Sequence, residues 1–409
     1  ADGTGTGTNA GKITATSNGS IGTISRGTGT MTNTGIITVT GGNSVNNKGT
    51  VGVIAGAGST NDNSGGTVVA TVNGDKSIGA YSAGTLKLGT STITANNGAI
   101  NYFSDDTSGN IEIASGKTST AITGDKSLLF YTGGNGTGRF NVAGTLNATI
   151  QNGGTAFYYT PGTTTSNGSV TGYNNGLNYG NFGTSDISGY FATTFNGTAG
   201  NVHLTMNPVS RLFVASNVKM NLSDTSINPA TVTGAPSITG TVGTDYKTFM
   251  LYLSELTLDN AVNLDSSTDA YKALEISNSS IINQNTMNGS NNGIIAMAQE
   301  NKKTDRNYVT LLNDTAGTIT LNGQNSVAMY AKNGNVLNSG QITLGGNNST
   351  GLFGTENSKV INNGSGTITL NGTDSTAMYY ENTSTTNLTS EPMVNDGTIN
   401  GTTSKSVGM

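Results

Sequence analysis

Several residue types are missing or rare in this chain of 409 residues. It has no cysteine and no tryptophan, one histidine and five prolines, and only 10% of its residues are charged. Without cysteine the chain has neither a disulfide framework nor a thiolate metal site, and a single histidine excludes a histidine-rich metal site. Few prolines suit continuous strand ladders, because proline cannot donate a ladder hydrogen bond. We therefore expect no metal and no cofactor.

The charge balance and the hydropathy also exclude some classes of partner. The net charge is −5, and the 18 lysine and arginine residues are scattered rather than clustered. A protein that binds phosphates needs clustered basic residues, so we expect no nucleic acid partner. No apolar run reaches the roughly 18 residues of a transmembrane helix, and we expect no membrane contact by this part of the protein.

A short motif recurs four times in the last hundred residues. Gly317 and Gly366 each open Gly-Thr-Ile-Thr-Leu-Asn-Gly, and shortened forms begin at Gly340 and Gly397, so the starts are 23, 26 and 31 residues apart. A unit of this length cannot bury its own apolar side chains and must stack on copies of itself. The sequence therefore predicts a solenoid.

Each repeat contains three short apolar pieces. In the first, Ile319 and Leu321 alternate with polar residues, which indicates a half-buried strand. The second piece is 326–330 and the third is 336–338. The second recurs at 350–353, 375–379 and 406–409, and the third at 311–313, 360–362 and 393–395. Three strands and three turns in each unit of 21–31 residues predict one coil of an all-β parallel β-helix.

The turns between these strands are rich in asparagine and glycine, residues that accept a positive φ at low cost. Asn338, Asn362 and Asn395 occupy one repeat position, so we expect them to stack from coil to coil. Either their amides form a hydrogen-bonded ladder, as in cross-β structures, or each serves only its own turn.

The repeats divide the chain into three zones. Residues 1–160 repeat loosely, with strands ending in Tyr81, Tyr102, Tyr131 and Tyr158 at spacings of 21, 29 and 27 residues. Residues 291–409 repeat tightly. We predict β-helix coils in both zones, and irregular coils with protruding loops in residues 161–290.

The middle zone is the candidate recognition region, because loops that leave a repeat scaffold commonly carry its binding residues. It contains an aromatic, asparagine-rich loop at 172–183, and the segment 246–253 is too apolar for a loop. The alternative is that its aromatic residues fill longer, irregular coils. The candidate binding residues are Tyr173, Tyr179, Phe182, Tyr246, Lys247, Phe249, Tyr252 and Tyr271.

Catalytic patterns are not found. A Ser-His-Asp triad would have to use His203, which lies in an alternating strand and is expected to face solvent. Paired carboxylates for glycoside cleavage must lie within about 5–9.5 Å of each other, and no spacing in the sequence brings acids together. Four aspartates of the middle zone could still come close to one another in the folded chain: Asp224, Asp245, Asp259 and Asp265. We expect the chain not to be an enzyme.

The repeated coils resemble the passenger region of type V autotransporters, and more narrowly the very large fusobacterial outer-membrane autotransporter adhesins. The resemblance rests on Gly-Thr-Ile-Thr-Leu-Asn-Gly, followed by Ser-x-Ala-Met-Tyr and Val-x-Asn-x-Gly, and it covers residues 1–160 and 291–409. It implies a right-handed parallel β-helix, a C-terminal outer-membrane barrel outside this sequence, and display on the bacterial cell surface. No functional residue transfers from it.

Three functional hypotheses follow. The resemblance implies an adhesin that binds host cell-surface protein or glycan, or partner bacteria. The alternatives are a structural stalk whose binding site lies elsewhere, and a polysaccharide-active β-helix such as a lyase, a glycosidase or a phage tailspike. Because the sequence stops at Met409 inside a repeat, we expect a fragment of a longer protein. We also expect a monomer.

Overall fold

The computed structural model consists of β-strands and turns, and the residues that it describes contain 42 strands and no helix. The described residues are 1–105, 108–132, 138–159, 167–169, 178–181, 183–184, 195–197, 201–216, 218–222, 236–242, 244–252, 254–265, 274–277, 279–300, 310–382 and 392–409. Two compact units are present. Unit 1 comprises residues 1–162, 185–215 and 228–249, and unit 2 comprises 163–184, 216–227 and 250–409.

The strands are short, and most contain four to six residues. The first sixteen are β1 (Thr6–Asn9), β2 (Lys12–Ala15), β3 (Ile21–Ser25), β4 (Thr30–Asn33), β5 (Ile36–Gly41), β6 (Val51–Ala55), β7 (Thr60–Asn73), β8 (Ile78–Ser82), β9 (Thr85–Asn96), β10 (Ile100–Ser104), β11 (Asn110–Ile113), β12 (Thr118–Thr123), β13 (Leu128–Thr132), β14 (Arg139–Val142), β15 (Thr145–Ile150) and β16 (Thr155–Tyr159). Next come β17 (Asn167–Ser169), β18 (Asn178–Asn181), β19 (Gly183–Thr184), β20 (Phe195–Gly197), β21 (Val202–Met206), β22 (Ser210–Ser216), β23 (Val218–Leu222), β24 (Ser237–Thr239), β25 (Tyr246–Tyr252), β26 (Glu255–Leu258), β27 (Val262–Asn263), β28 (Leu274–Ser277), β29 (Ser280–Asn283) and β30 (Thr286–Gly289). The last are β31 (Ile295–Glu300), β32 (Thr310–Asn313), β33 (Thr318–Leu321), β34 (Val327–Lys332), β35 (Asn335–Asn338), β36 (Gln341–Leu344), β37 (Thr350–Thr355), β38 (Lys359–Asn362), β39 (Thr367–Leu370), β40 (Thr376–Glu381), β41 (Met393–Asn395) and β42 (Thr398–Gly401).

Unit 1 is built from three parallel ladders, each of which takes one strand from every coil. Ladder A contains β1, β4, β11, β14 and β20; ladder B contains β2, β5, β12, β15, β21 and β24; ladder C contains β3, β6, β8, β10, β13, β16, β22 and β25. The long strands β7 and β9 run through both ladder A and ladder B, so these two ladders form one thirteen-stranded sheet. Three strands in each coil, paired in parallel with the next coil, confirm the predicted parallel β-helix.

The interior of unit 1 contains a cluster of aromatic rings among aliphatic side chains. On ladder C, Tyr102 of β10 is in register with Phe130 of β13, which in turn is in register with Phe157 of β16. Phe140 of ladder A enters from another side, and its ring centroid lies 4.7 Å from Tyr102 and 5.2 Å from Phe130. Each of these side chains is fully buried. Edge and offset contacts between buried rings stabilise the coil beyond the burial of their area.

Unit 2 repeats the three-ladder plan. Ladder D contains β19, β23, β26, β29, β32, β35, β38 and β41; ladder E contains β27, β30, β33, β36, β39 and β42; ladder F contains β31, β34, β37 and β40. The register joins Thr318, Gln341, Thr367 and Thr398, which confirms the motif alignment made from sequence. The truncated repeat at 406–409 is also confirmed, because Val407 forms a parallel bridge to Thr376.

The asparagines and glycines in the turns of unit 2 meet two different structural requirements, which the sequence alone did not distinguish. Left-handed backbone belongs to Asn325 and Asn348, with φ of 56° and 55°. The glycines meet a different requirement. A Cβ on Gly346 would lie 1.9 Å from the carbonyl oxygen of Gly323, and a Cβ on Gly372 would lie 2.0 Å from that of Gly346. Gly346 and Gly372 are needed because consecutive coils approach closely there, and not because they supply a positive φ.

A buried asparagine ladder runs along ladder D and decides between the two sequence-based alternatives. Each Nδ2 donates to the Oδ1 of the equivalent residue in the next coil at 2.8 Å. The members in order are Asn283, Asn313, Asn338, Asn362 and Asn395. The amides of the first four members are buried and satisfy one another inside the protein, as in cross-β amide ladders, and Asn395 ends the ladder at an exposed position.

Described strands of the middle zone continue the ladders. Between residues 202 and 222 the chain forms three of these strands, β21, β22 and β23. The apolar segment at 246–253 is confirmed as a strand by β25. A short antiparallel pair, β17 with β18, departs from the parallel pattern. The predicted protruding loops fall mostly outside the described residues.

Candidate functional site: two outward aromatic columns

The strands of ladder C place one residue of each coil on the outer surface next to a buried one. In β8, β10 and β13 the third residue is buried and the fourth is half-exposed. The register aligns Tyr81 with Phe103, Phe103 with Tyr131, and Tyr131 with Tyr158. We call these four residues aromatic column 1. Neighbouring residues of a strand point to opposite faces. Because the residue before each of these rings is buried, the ring itself points outward.

The register corrects one sequence alignment. Tyr102 was predicted to be equivalent to Tyr81, but it aligns with buried Ala80, and Phe103 takes the position of Tyr81. The spacings along the column are therefore 22, 28 and 27 residues. The error arose because both residues are aromatic, and only the burial pattern of β10 tells the inward ring from the outward one.

The rings of aromatic column 1 pack against one another from coil to coil. Their centroids are separated by 5.2 Å between Tyr81 and Phe103, by 4.9 Å between Phe103 and Tyr131, and by 5.4 Å between Tyr131 and Tyr158. The Tyr81 hydroxyl donates to Oδ2 of Asp105 at 2.6 Å. Successive coils thus hold each ring at a fixed position on a half-exposed surface.

An aliphatic column lies beside these rings, three residues earlier on each strand. Ile78 aligns with Ile100, and Ile100 aligns with Leu128. The same position is occupied by Val51 in β6 and by Ile21 in β3, which is 43% exposed. Together the two columns make an apolar outer surface on ladder C. Contiguous, half-exposed apolar surface of this kind is a candidate interaction site.

Unit 2 carries a second outward aromatic column on ladder F. Tyr330, Phe353 and Tyr379 are in register, with centroid separations of 5.2 Å and 5.1 Å. We call these three residues aromatic column 2. Each follows a buried Met or Leu on its strand, and Tyr379 is 46% exposed. The sequence found this strand in the repeat, but its aromatic residue was not identified as a candidate site.

Carboxylates flank aromatic column 2. The Tyr330 hydroxyl donates to Oε1 of Glu300 at 3.3 Å. Burial raises the pKa of Tyr330 above its ordinary value, and the negative charges of Glu300 and Glu356 raise it further. Burial and the charge of Glu356 likewise raise the pKa of Tyr380. The hydroxyl of Tyr380 donates to the backbone carbonyl of Glu356. The carboxylates of Glu300 and Glu356 therefore lie near the hydroxyl of Tyr330, and the carboxylate of Glu356 also lies near Tyr380.

Glu356 has an unusual backbone conformation. Its φ is 62°, in the left-handed region, and the preceding coil places Asn333 at the same turn position with φ of 55°. The alignment follows from the turn hydrogen bonds, in which Asn333 N–H donates to Thr355 and Glu356 N–H donates to Glu381. Asparagine tolerates this region, whereas glutamate rarely occupies it. Strain of this kind concentrates at functional sites.

The residues predicted to bind from the sequence are placed differently. Tyr246 and Phe249 are only 5% and 1% exposed, and the Phe249 ring stacks on Phe213 at 5.5 Å inside unit 1. Burial raises the pKa of Tyr246 to about 12. Lys247 is half-buried, and Tyr252 is 40% exposed. The backbone of Tyr179 lies in β18. Three candidates fall outside the described residues: Tyr173, Phe182 and Tyr271.

The potential catalytic residues are dispersed in what the structure describes. His203 is exposed on β21, which confirms the expectation from its alternating strand. Asp245 accepts a hydrogen bond from the Thr241 N–H, and Asp265 accepts bonds from the backbone of Ser290. Asp224 lies outside the described residues. In the described part of the chain, no group of three or more His, Cys, Asp or Glu residues is arranged to hold a metal ion.

Comparison with known proteins identifies no relative of this chain. The chain matches no protein-family model, and comparison with curated proteins and with solved structures finds no significant match. Within the described ranges, no helix has the length and apolar character needed to cross a membrane.

Proposed function

We propose that this chain is part of the passenger region of a large type V autotransporter adhesin, displayed on the bacterial cell surface beyond the outer membrane. Its role is to bind host cell-surface protein or glycan, or partner bacteria, as a monomer. The motif resemblance of the repeated coils supports this assignment, and so does the parallel β-solenoid, a fold that presents a long outer surface to partners.

The observation that carries the proposal is aromatic column 1 with its aliphatic neighbours. Tyr and Phe side chains supply large contact areas at low cost in conformational entropy, because each has only two rotatable side-chain bonds. Here they are held in register on a scaffold of paired strands, so little ordering remains to be done on binding. A surface used only as a spacer needs no such row of half-exposed rings.

The test is adhesion of the full chain to cells. Fluorescently labelled chain is applied to cultured epithelial cells and to partner bacteria, and bound label is measured by flow cytometry. The double variant Phe103→Ala/Tyr131→Ala should bind at least about tenfold more weakly, since it removes two adjacent rings of the column. Thr120→Ala/Asn147→Ala is the matched control, because both residues are exposed on ladder B, away from the column.

Three other outcomes are informative. Unchanged adhesion of the ring variant would place the binding site outside aromatic column 1. If the unmodified chain binds neither the cultured cells nor the partner bacteria, the structural stalk would be favoured. Release of reducing sugar from a panel of glycans would favour the polysaccharide-active alternative and overturn the proposal.

A further inference from the structure

The charges beside aromatic column 2 form a column of their own. Two residues after each outward ring position, and therefore on the same side of the strand, stand Glu300, Lys332, Thr355 and Glu381. Glu300 and Glu381 are exposed, and Lys332 is half-buried. Together with Glu356 in the adjacent turn, Glu300 and Glu381 supply three carboxylates, and Lys332 supplies one ammonium group. Among these four described side chains the negative charges therefore outnumber the positive one.

The position of Glu356 strengthens this point. The turn position that it occupies is filled by asparagine in the preceding coil, and asparagine suits the left-handed backbone better. Glu356 nevertheless stands there, and its charge acts on the hydroxyl groups of both Tyr330 and Tyr380. The carboxylate is the feature that distinguishes the turn.

Aromatic faces beside carboxylates recognise cations. A guanidinium or ammonium group is attracted to the face of a Tyr or Phe ring, and carboxylates pair with the same group through charge-assisted hydrogen bonds. Glu300 and Glu356 both act on Tyr330, the first ring of aromatic column 2. The ring centroids of the column are 5.2 Å and 5.1 Å apart, so a bound segment would meet several rings in succession.

We propose that aromatic column 2 and its flanking carboxylates form a docking surface for a basic peptide segment, whose arginine or lysine side chains lie against the rings and pair with Glu300 and Glu356. This inference rests on the proposed function, since it names the chemistry of a partner for part of the adhesin surface. Charge complementarity selects this partner over a neutral glycan, for which the carboxylates would not be needed.

The test measures binding of fluorescein-labelled hexa-arginine to the full chain by fluorescence anisotropy. Glu300→Gln/Glu356→Gln should weaken binding by about tenfold or more, and Phe353→Ala should weaken it severalfold, because the two changes remove the charge pairs and a central ring. Binding should also fall between about 0.02 M and about 0.3 M salt. The matched control is Asp259→Asn/Asp396→Asn, which removes the same charge from two exposed positions elsewhere in unit 2.

Specific docking predicts that the control binds like the unmodified chain. Equal weakening of both double variants would mean that the peptide responds only to net charge, and it would overturn the inference. So would a neutral oligosaccharide whose binding depends on Phe353 and not on the carboxylates. Circular dichroism and the melting temperature of each variant show whether it has folded.

The same variants separate this inference from the proposed function. If the chain adheres to cells but does not bind hexa-arginine, the cationic docking surface is wrong and the adhesin proposal stands. If hexa-arginine binds as expected while the chain adheres to no surface, the adhesin proposal fails and the peptide-docking surface remains.

Discussion

Units 1 and 2 use the same coil plan but fill it with different chemistry. In unit 1 the coils enclose aromatic rings, among them Phe130, Phe140 and Phe157. In unit 2 the equivalent interior holds flexible side chains such as Met329 and Met378, and the asparagine ladder runs along ladder D. The shared three-ladder coil fixes which positions point inward, and the inward residues vary as long as each coil stays filled.

The outer surfaces differ in the same way. Aromatic column 1 lies beside Ile78, Ile100, Leu128 and Thr155. Aromatic column 2 lies beside Val327, Thr350 and Thr376 on one side and beside Lys332, Thr355 and Glu381 on the other. One scaffold thus displays two ring columns with different surroundings. The difference indicates that the coil supplies position and the neighbouring columns supply selectivity.

The largest effect is expected from the interior of unit 1. Phe130→Ala removes a fully buried ring that packs on Phe140 and leaves a cavity, which should cost about 3–5 kcal/mol. Its neighbour Tyr131 faces outward, so Tyr131→Ala should cost only about 1 kcal/mol. Urea unfolding followed by circular dichroism measures both. Similar losses for the two variants would contradict the assignment of inward and outward positions.

Alkaline pH should destabilise unit 1 through its buried tyrosines. Burial raises the pKa of Tyr246 from 10.0 to about 12, so folding favours the protonated phenol. Its contribution to stability is present in full below about pH 10 and is lost as pH rises toward about 12. Tyr102 adds to the same trend, because burial raises its pKa as well.

The variant Tyr246→Phe isolates this contribution. Because it has no titrating phenol at that position, its melting temperature should fall less between about pH 9 and about pH 11 than that of the unmodified chain. Tyr379→Phe, which removes a phenol from an exposed position in unit 2, is the matched control. Equal pH dependence in the unmodified chain and Tyr246→Phe would contradict the expectation.

In unit 2 the asparagine ladder is the corresponding structural test. Asn338→Ala removes the acceptor of Asn313 and the donor to Asn362, leaving two buried polar atoms without those partners. The expected loss is about 1–3 kcal/mol. Asn288→Ala on the outer side of β30 is the control and should change stability little. If both variants melt alike, the ladder contributes no net stability.

The sequence predicted the fold of the regular coils well. Period-2 alternation in the repeated motif identified β33, β36, β39 and β42, and the repeat alignment matched the observed register. These predictions succeeded because the inward residues of a coil must be apolar and must recur. The asparagine ladder was foreseen as one of two alternatives for the same reason, since buried amides at one repeat position need partners.

The candidate site was harder to foresee. Repetition shows that Tyr81 and Tyr330 hold equivalent places in their coils, but it does not show which side of the strand they face. In β10 two aromatic residues are adjacent, Tyr102 inward and Phe103 outward, and the sequence alignment chose the inward one. Irregularity in the middle zone drew attention to Tyr246 and Phe249, which are buried. Apolar residues outside repeats are as suited to the interior as to binding.

The smallest stability effect tests why Glu356 is present in unit 2. Glu356→Asn places a residue that tolerates φ of 62° at the strained turn, so it should stabilise the chain by about 1 kcal/mol. Val209 offers the matched case in unit 1, because it is 62% exposed with φ of 63°, and Val209→Asn should stabilise to a similar extent. Melting temperatures measure both gains.

Binding of hexa-arginine then separates the two strained turns. Glu356→Asn should gain stability and lose affinity, since it removes a carboxylate beside aromatic column 2, whereas Val209→Asn should gain stability with affinity unchanged. A Glu356→Asn variant that melts higher and still binds the peptide fully would show that the strain at this turn serves no cationic partner. A variant that melts lower would show that the glutamate stabilises the turn, which would remove the strain argument from the comparison of the two units.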